Sequence, residues 1–208
     1  MASTVTELLR RRFGGKALPY DAEIEYLGGA DGTLIDTGIV GDSTIEMDIV
    51  YSLTGHTNYA GIYGNYIDEN HSCTRAILTE SNNTNAYVNV GQQASKSNTI
   101  TGVARKVAEN HLIANSTSIT INGTTYSPTW ASGTKNTTNI ALYNSRVDTL
   151  PSGTIGLKIM SCKIKQSNVL VRDFIPVRVG TTGYMYDKVS KQLFGNAGTG
   201  SFILGDDI

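Results

Sequence analysis

The side chains that could do chemistry are concentrated in one aromatic, amide-rich segment. Residues 58–66 carry Tyr59, Tyr63 and Asn65, and the only tryptophan, Trp130, lies in a separate predicted loop. Aromatic rings stack on the C–H faces of sugar rings, while amide groups bind the sugar hydroxyls. The sequence therefore predicts a glycan-binding site at these four residues. The alternative is that the tyrosines line one face of a strand with their rings half-buried.

Catalytic patterns do not assemble from the other residues. The three histidines, His56, His71 and His111, are far apart and lack the spacing of metal ligands. No Gly-x-Ser-x-Gly turn is present to hold a nucleophilic serine. Cys73 and Cys162 both lie in strand-like runs, which favours two buried free thiols over a disulfide. We expect no catalytic residue, no metal site and no enzyme activity.

The composition limits the class of partner. The 208 residues include 17 basic and 18 acidic side chains, for a net charge of -1. A nearly neutral chain lacks the basic surface of a nucleic-acid-binding protein. No run approaches the roughly 18 apolar residues of a membrane-spanning helix. We expect neither nucleic acid nor membrane among its partners.

Short alternating segments separated by turns run through most of the chain. Thr, Ser, Asn and Gly make up about 80 of the 208 residues, which favours strands and turns over helices. About fourteen short strands are expected, as in a sandwich or a barrel. Asn122-Gly123 is a strong signal for a two-residue hairpin.

The first fifteen residues have a different character. Thr4 and Glu7 form a capping box, which predicts a short helix that ends at Gly14-Gly15. This helix is too short to be stable alone, so it must dock on its own domain or on a partner. The side chains predicted to bind a partner are Leu8, Leu9, Arg10, Arg11, Arg12 and Phe13. Because arginines follow Leu8 and Leu9 directly, we expect no signal peptide. We therefore expect the protein to be made in a host cytoplasm and to be located in the virion.

The two ends of the chain resemble one family. The N-terminal part contributes an arginine-rich helix followed by Leu18-Pro19-Tyr20-Asp21 and Ile35-Asp36-Thr37-Gly38. The C-terminal third contributes Leu170–Pro176, Gly183–Val189 and Leu193–Phe202. These motifs are similar to those of laminin-G-like (concanavalin A-like) jelly-roll proteins of gut bacteria and their tailed phages. A Gly28–Gly32 turn replaces the family's usual Glu-Ser-Thr-Gly-type turn.

The resemblance implies an all-β fold, a two-sheet antiparallel jelly-roll sandwich with a short N-terminal α-helix. Residues 1–15 would be a helical anchor and residues 16–208 the jelly-roll domain. Related glucanases carry Glu-x-Asp-x-x-Glu on one strand, since retaining hydrolysis needs two nearby carboxylates. Here Glu46-Met47-Asp48 begins that pattern, but Tyr51 occupies the second glutamate position, so solvent-facing carboxylates are expected instead. The fold often holds calcium, for which Asp68, Glu69 and Asn70 form the candidate loop.

Two functions follow as expectations. The first is an accessory structural protein of a phage particle, such as a capsid decoration or fibre protein. Its N-terminal helix would bind other virion proteins or further copies of itself. The alternative is a lectin-like module that binds host-surface or mucus glycans and so promotes host attachment. Neither function calls for a cofactor, although calcium at the loop stays an open alternative.

Overall fold

A computed structural model describes residues 18–54, 60–68, 70–71, 73–80, 85–94, 98–105, 108–130, 133–144 and 156–208. The N-terminal helix predicted for residues 1–15, which includes the predicted partner-binding residues Leu8–Phe13, lies outside these ranges. So does Tyr59, the first residue of the predicted glycan site.

The described residues form two sheets whose strand ladders are all antiparallel. The larger sheet has eleven strands: β1 (Ala22–Glu23), β2 (Leu27–Gly28), β4 (Ile45–Leu53), β9 (Asn110–Ala114), β10 (Ile119–Ile121), β11 (Thr124–Tyr126), β13 (Leu157–Gln166), β14 (Val169–Val179), β15 (Thr182–Asp187), β16 (Gln192–Phe194) and β17 (Ile203–Leu204). The smaller sheet has six: β3 (Ile35–Val40), β5 (Ala60–Gly64), β6 (Cys73–Glu80), β7 (Asn85–Ala94), β8 (Asn98–Arg105) and β12 (Asn139–Leu142).

The strand order places β4 at the centre of the larger sheet. That sheet runs β11-β10-β9-β4-β13-β14-β15-β16, with β1 paired to β14 and β2 joining β13 and β17. The smaller sheet runs β3-β12-β5-β6-β7-β8. The prediction of an all-β protein with two antiparallel sheets is confirmed, and no helix forms among the described residues.

Alternation in the sequence explains the central strand. In β4, every second residue from Ile45 to Leu53 is buried, and the residues between them are partly exposed. This is the pattern of a strand with one face in the core and one in solvent. The predicted orientation is therefore confirmed, since Met47 faces the core while Glu46 and Asp48 face outward.

One buried cluster joins the inner faces of the two sheets. Tyr51 and Phe174 contribute from the larger sheet, and Ile62 and Leu142 from the smaller one, all without exposed surface. Two sheets that share such a core are arranged as a β-sandwich. Cys162 is buried in the same cluster, and no disulfide joins it to Cys73, as expected.

Residues 20–27 alternate, with Ala22, Ile24 and Tyr26 on one face, and this pattern predicts one continuous strand. The prediction is wrong. The segment is divided into β1, an isolated bridge between Ile24 and Asp207, and β2. The chain bends at Glu25 because it pairs first with β14 and then moves across to β13. The bend buries both Ile24 and Leu27, whereas strict alternation would place them on opposite faces.

Two hairpins have the tight turns that antiparallel strands favour. Asn122 and Gly123 join β10 to β11 with φ values of 51° and 83°, as the Asn-Gly signal predicts. Ser167 and Asn168 join β13 to β14 with φ values of 51° and 63°. The second turn lies at the start of β14, where it meets the turns that precede β4 and follow β9.

Candidate functional site

Three polar turns meet at one end of the larger sheet and enclose a groove. They lie before β4, between β9 and β10, and between β13 and β14, and they contribute serine, threonine and asparagine side chains. The groove has a volume of about 420 Å³, which is within the range of about 300–1,000 Å³ typical of small-molecule sites. Ile45 is the only aliphatic side chain among the described residues that line it.

Hydrogen bonds fix the three turns in place. The Ser167 amide donates to the Thr44 carbonyl oxygen at 3.2 Å, which connects the turn before β4 to the β13–β14 turn. Oδ1 of Asn115 accepts hydrogen bonds of 2.9 Å from the amides of Thr117 and Ser118. An Asn side chain that binds the backbone of its own turn restricts the shape of that turn. The groove wall is thus formed before any ligand arrives.

Glu46 supplies the charge in this site. Its Oε1 accepts a 2.7 Å hydrogen bond from Nζ of Lys165, and its Oε2 accepts one of 3.1 Å from Nδ2 of Asn115. The Lys165 hydrogen bond, helped by Asn115 and opposed by partial burial, lowers the pKa of Glu46 below its usual value. Glu46 is consequently ionised at neutral pH, and its two oxygens retain lone pairs for further donors.

Trp130 lies beside the groove. Its Nε1 donates a 2.7 Å hydrogen bond to the carbonyl oxygen of Ser116, a residue of the groove wall. The indole is partly buried against the main core, so it connects the β9–β10 turn to the body of the domain. Of the three predicted glycan residues that the structure describes, Trp130 is the one that lies next to this groove.

The other two predicted glycan residues that the structure describes, Tyr63 and Asn65, are buried away from the groove. Tyr63 is fully buried, so its ring has no free face for a sugar, and the alternative reading of a strand-face tyrosine describes it better. Asn65 is also fully buried: its Oδ1 accepts from the Thr74 amide at 2.7 Å, and its Nδ2 donates to the Thr138 carbonyl oxygen at 3.1 Å. Both residues stabilise the smaller sheet and its loops.

Strand β4 begins with the glucanase-like residues Glu46-Met47-Asp48, and its outward carboxylates have structural partners. Tyr51 occupies the position of the second glutamate and is fully buried in the core. Asp48 points outward and lies 2.7 Å from Nε2 of His111, while Glu46 binds Lys165. The second glutamate of the glucanase pattern is thus replaced by a core tyrosine, and each outward carboxylate of this strand lies against a basic side chain.

The loop proposed for calcium is arranged around one carboxylate. Oδ1 of Asp68 accepts hydrogen bonds from the amides of Asn70 at 2.8 Å and His71 at 3.1 Å, and it lies 2.8 Å from Nδ1 of His71. Glu69 is outside the described residues. Over the part of the chain that the structure describes, no three His, Cys, Asp or Glu side chains are grouped closely enough to hold a metal ion.

The C-terminal motif that carries the family resemblance organises a hairpin. Asp187 is fully buried, and its Oδ1 accepts the amide of Asp173 at 2.8 Å. Its Oδ2 accepts the hydroxyl of Ser190 at 2.7 Å and lies 3.7 Å from a guanidinium nitrogen of Arg172. A buried carboxylate with this many donors fixes β14, β15 and the following turn. The motif thus has a folding role in this chain.

Comparison of the chain with protein-family models, curated proteins and solved structures finds no match. In the described ranges, no helix has the length and apolar character needed to cross a membrane. Sequence reasoning missed the groove because its residues come from three turns that are far apart in the chain. Each turn is polar and adjoins a predicted strand, but the sequence does not show that the three turns lie at the same end of the larger sheet.

Proposed function

We propose that the protein is an accessory structural protein of a phage particle, such as a capsid decoration or fibre protein. Its body is a laminin-G-like jelly roll, and residues 1–15 form the helix that attaches it to other virion proteins or to further copies. The resemblance of the chain's two ends to phage and bacterial jelly-roll proteins supports this assignment. The two antiparallel sheets with a common core are consistent with it.

The observation that carries the proposal is the position at which the N-terminal segment joins the domain. The Asp21 amide donates to the Arg178 carbonyl oxygen at 2.9 Å, and Oδ2 of Asp21 accepts the Gly180 amide at 2.7 Å. Asp21 therefore lies at the far end of β14, while Ser167 and Asn168 of the groove precede its first residue. An 11-residue strand separates the two places by about 33 Å.

This arrangement suits a protein that is held at one end and displays the other. An anchor that precedes Leu18 would meet the particle surface beside the end of β14. The three polar turns would then point away from the particle. The junction is reinforced at the same end, where Arg178 binds the carboxylate of Asp207 through two hydrogen bonds of 2.6 and 2.5 Å.

Deletion of residues 1–15 tests the attachment. Particles are assembled in the presence of tagged full-length or truncated protein, purified and probed for the tag. We expect the truncated protein to keep its thermal transition and its β-sheet circular dichroism but to be missing from the particles. A variant with Leu8 and Leu9 replaced by Ala distinguishes the apolar residues from the arginines. Equal incorporation of truncated and full-length protein refutes the proposal.

A second candidate function, lectin-like adhesion to host or mucus glycans, is favoured by the groove. The two functions are compatible, since a displayed domain can also bind. Adhesion requires that the groove bind a carbohydrate, and the groove residues indicate which class of carbohydrate that is.

A further inference from the structure

We infer that the groove between the three turns, with Glu46 and Asn168 on its wall, binds a neutral oligosaccharide. This inference rests on the second proposed function, adhesion to glycans, and deepens it, because it specifies the ligand and the residues that bind it. It places the site at residues that differ from the tyrosine-rich segment of the sequence prediction. Trp130 is retained, and it acts by holding the Ser116 turn.

Uncommitted polar groups line the groove. Within the part of the chain that the structure describes, the side chains of Ser43, Ser167 and Asn168 make no hydrogen bond. Two hydroxyls can donate or accept, and the Asn168 amide can do both at once. Sugar hydroxyls are also donors and acceptors, so adjacent hydroxyls of one sugar ring can pair with groups of this kind. A mostly apolar ligand would leave these groups without partners.

Glu46 provides the strongest acceptor for such a ligand. Two donors, Lys165 and Asn115, already hold its carboxylate in one orientation, and the side chain is 26% exposed. Hydrogen bonds to a charged acceptor are stronger than those between neutral groups. A carboxylate that is held in place before binding loses little conformational freedom when a ligand arrives. Glu46 is therefore expected to accept hydrogen bonds from sugar hydroxyls.

The charge of the site favours a neutral ligand. Glu46 is the only charged side chain among the described residues that line the groove, and Lys165 balances it from the adjacent strand. A sulfated or sialylated glycan would bring a second negative charge close to the Glu46 carboxylate. A metal cation would find one carboxylate that is already bound to Lys165, where a calcium site needs six to eight oxygen ligands.

The shape of the groove agrees with this chemistry. The volume of about 420 Å³ is open at the sandwich rim, so a longer chain can pass through with one or two units in the groove. Ser167 holds a left-handed conformation that favours glycine or asparagine, with φ 51°. The two-residue turn between β13 and β14 requires this conformation, and it fixes the positions of Ser167 and Asn168 on the groove wall.

A glycan array tests the inference with the intact full-length protein. The array carries neutral oligosaccharides built from glucose, mannose, galactose or N-acetylglucosamine, together with sialylated and sulfated ones. We expect binding to at least one neutral oligosaccharide and none that requires an acidic group. Titration calorimetry with that oligosaccharide then gives its affinity. Glu46→Ala and Asn168→Gly should each lower the affinity about tenfold or more, because each removes hydrogen bonds to the ligand.

Matched controls separate binding from folding. Asp48→Ala removes the next outward carboxylate of the same strand, which binds His111 and does not line the groove. Asn122→Gly makes the same substitution at a left-handed position of the β10–β11 turn, which lies at the opposite end of the larger sheet. Both controls should keep the affinity within about twofold of the unmodified protein.

The outcomes against the inference are distinct from failure of the proposed function. Binding to no glycan, binding only to acidic glycans, or equal losses in Asp48→Ala and Glu46→Ala overturns the groove assignment. Binding of an extended peptide in place of a glycan overturns it as well. Glycan affinity is measured in solution, without particles. If the protein lacking residues 1–15 still enters particles, only the attachment proposal is refuted. Glu46→Ala protein should still enter particles, which separates the two results.

Discussion

The hydroxyl of Tyr143 donates a 2.7 Å hydrogen bond to the carbonyl oxygen of Leu27, and the two residues belong to opposite sheets of the sandwich. Tyr143 directly follows β12 of the smaller sheet, whereas Leu27 lies in β2 of the larger one. Both residues are fully buried. The bond therefore ties the sheets together in the interior, where an unpaired carbonyl group would be costly.

Tyr143→Phe should destabilise the protein by about 1–3 kcal/mol, because the Leu27 carbonyl oxygen loses its side-chain donor inside the core. The ring itself still packs, so no large cavity forms. Urea unfolding measures the change in the free energy of unfolding. Tyr126→Phe is the matched control, since that partly buried hydroxyl makes no hydrogen bond to a described residue. A loss no larger than the control's would show that the Leu27 bond contributes nothing.

Stability in acid should depend on Asp187. Burial raises the pKa of this carboxylate. Hydrogen bonds from the Asp173 amide and from Ser190 and Val189 lower the pKa by more than burial raises it, so the net pKa lies below its usual value. A folded-state pKa below the unfolded value of about 3.9 stabilises the protein above that pH. The stabilisation is lost as the pH falls from about 4 through the lower folded-state pKa.

Asp187→Asn should cost about 2 kcal/mol or more at neutral pH, because an amide cannot accept all the donors that the carboxylate accepts. The variant should also lose less of its remaining stability than the unmodified protein when the pH is lowered through this range. Urea unfolding at a series of pH values measures both effects. Asp31→Asn, at an exposed position, is the control, and it should cost little stability at neutral pH. Parallel curves for Asp187→Asn and the unmodified protein would contradict the assignment.

Two glycines with similar backbone conformations should respond differently to alanine. Gly156 and Gly123 have φ values of 92° and 83°, so alanine is strained at both by about 1 kcal/mol. A Cβ at Gly156 would overlap the Thr54 carbonyl oxygen, whereas one at Gly123 would meet open space. We expect Gly123→Ala to cost about 1 kcal/mol and Gly156→Ala more than about 4 kcal/mol. Similar midpoints of thermal unfolding for both variants would disprove the steric argument.

The local pattern of the chain predicts its strands well because alternation is a local property. The nine residues of β4 show which side chains enter the core, and Asn122-Gly123 indicates its own turn. The segment at residues 20–27 defeats the same reasoning, since its bend at Glu25 depends on strands more than 130 residues further along the chain. Local alternation contains no information on a change of pairing partner.

The groove was harder to predict for the same reason. Tyr63 and Asn65 belong to an aromatic, amide-rich segment that resembles a sugar site, yet they are buried where the smaller sheet needs their bulk and hydrogen bonds. Ser43, Asn115 and Asn168 are ordinary turn residues in the sequence. They become neighbours only because β4, β9 and β13 pair with their ends at one level. The sequence does draw attention to Trp130, since it is a single tryptophan in a predicted loop, and the structure places it beside the groove.

Trp130 should report directly on the groove. It is the only tryptophan in the chain, and its indole N–H binds the carbonyl oxygen of Ser116 on the groove wall. A ligand that contacts the Ser116 turn changes the polarity and hydrogen bonding around the indole. Selective excitation of tryptophan during titration with the neutral oligosaccharide should therefore give a saturable change in emission, with the same affinity as calorimetry.

The variants make this measurement specific. In Glu46→Ala the change in emission should need about tenfold more ligand, and in Asp48→Ala it should follow the unmodified protein. Trp130→Phe keeps an aromatic ring against the core but loses the donor to Ser116, so its affinity should fall while its cooperative unfolding is retained. Calorimetric binding without any change in Trp130 emission would place the ligand away from the three turns. The indole hydrogen bond thus links a spectroscopic signal to one identified wall of the groove.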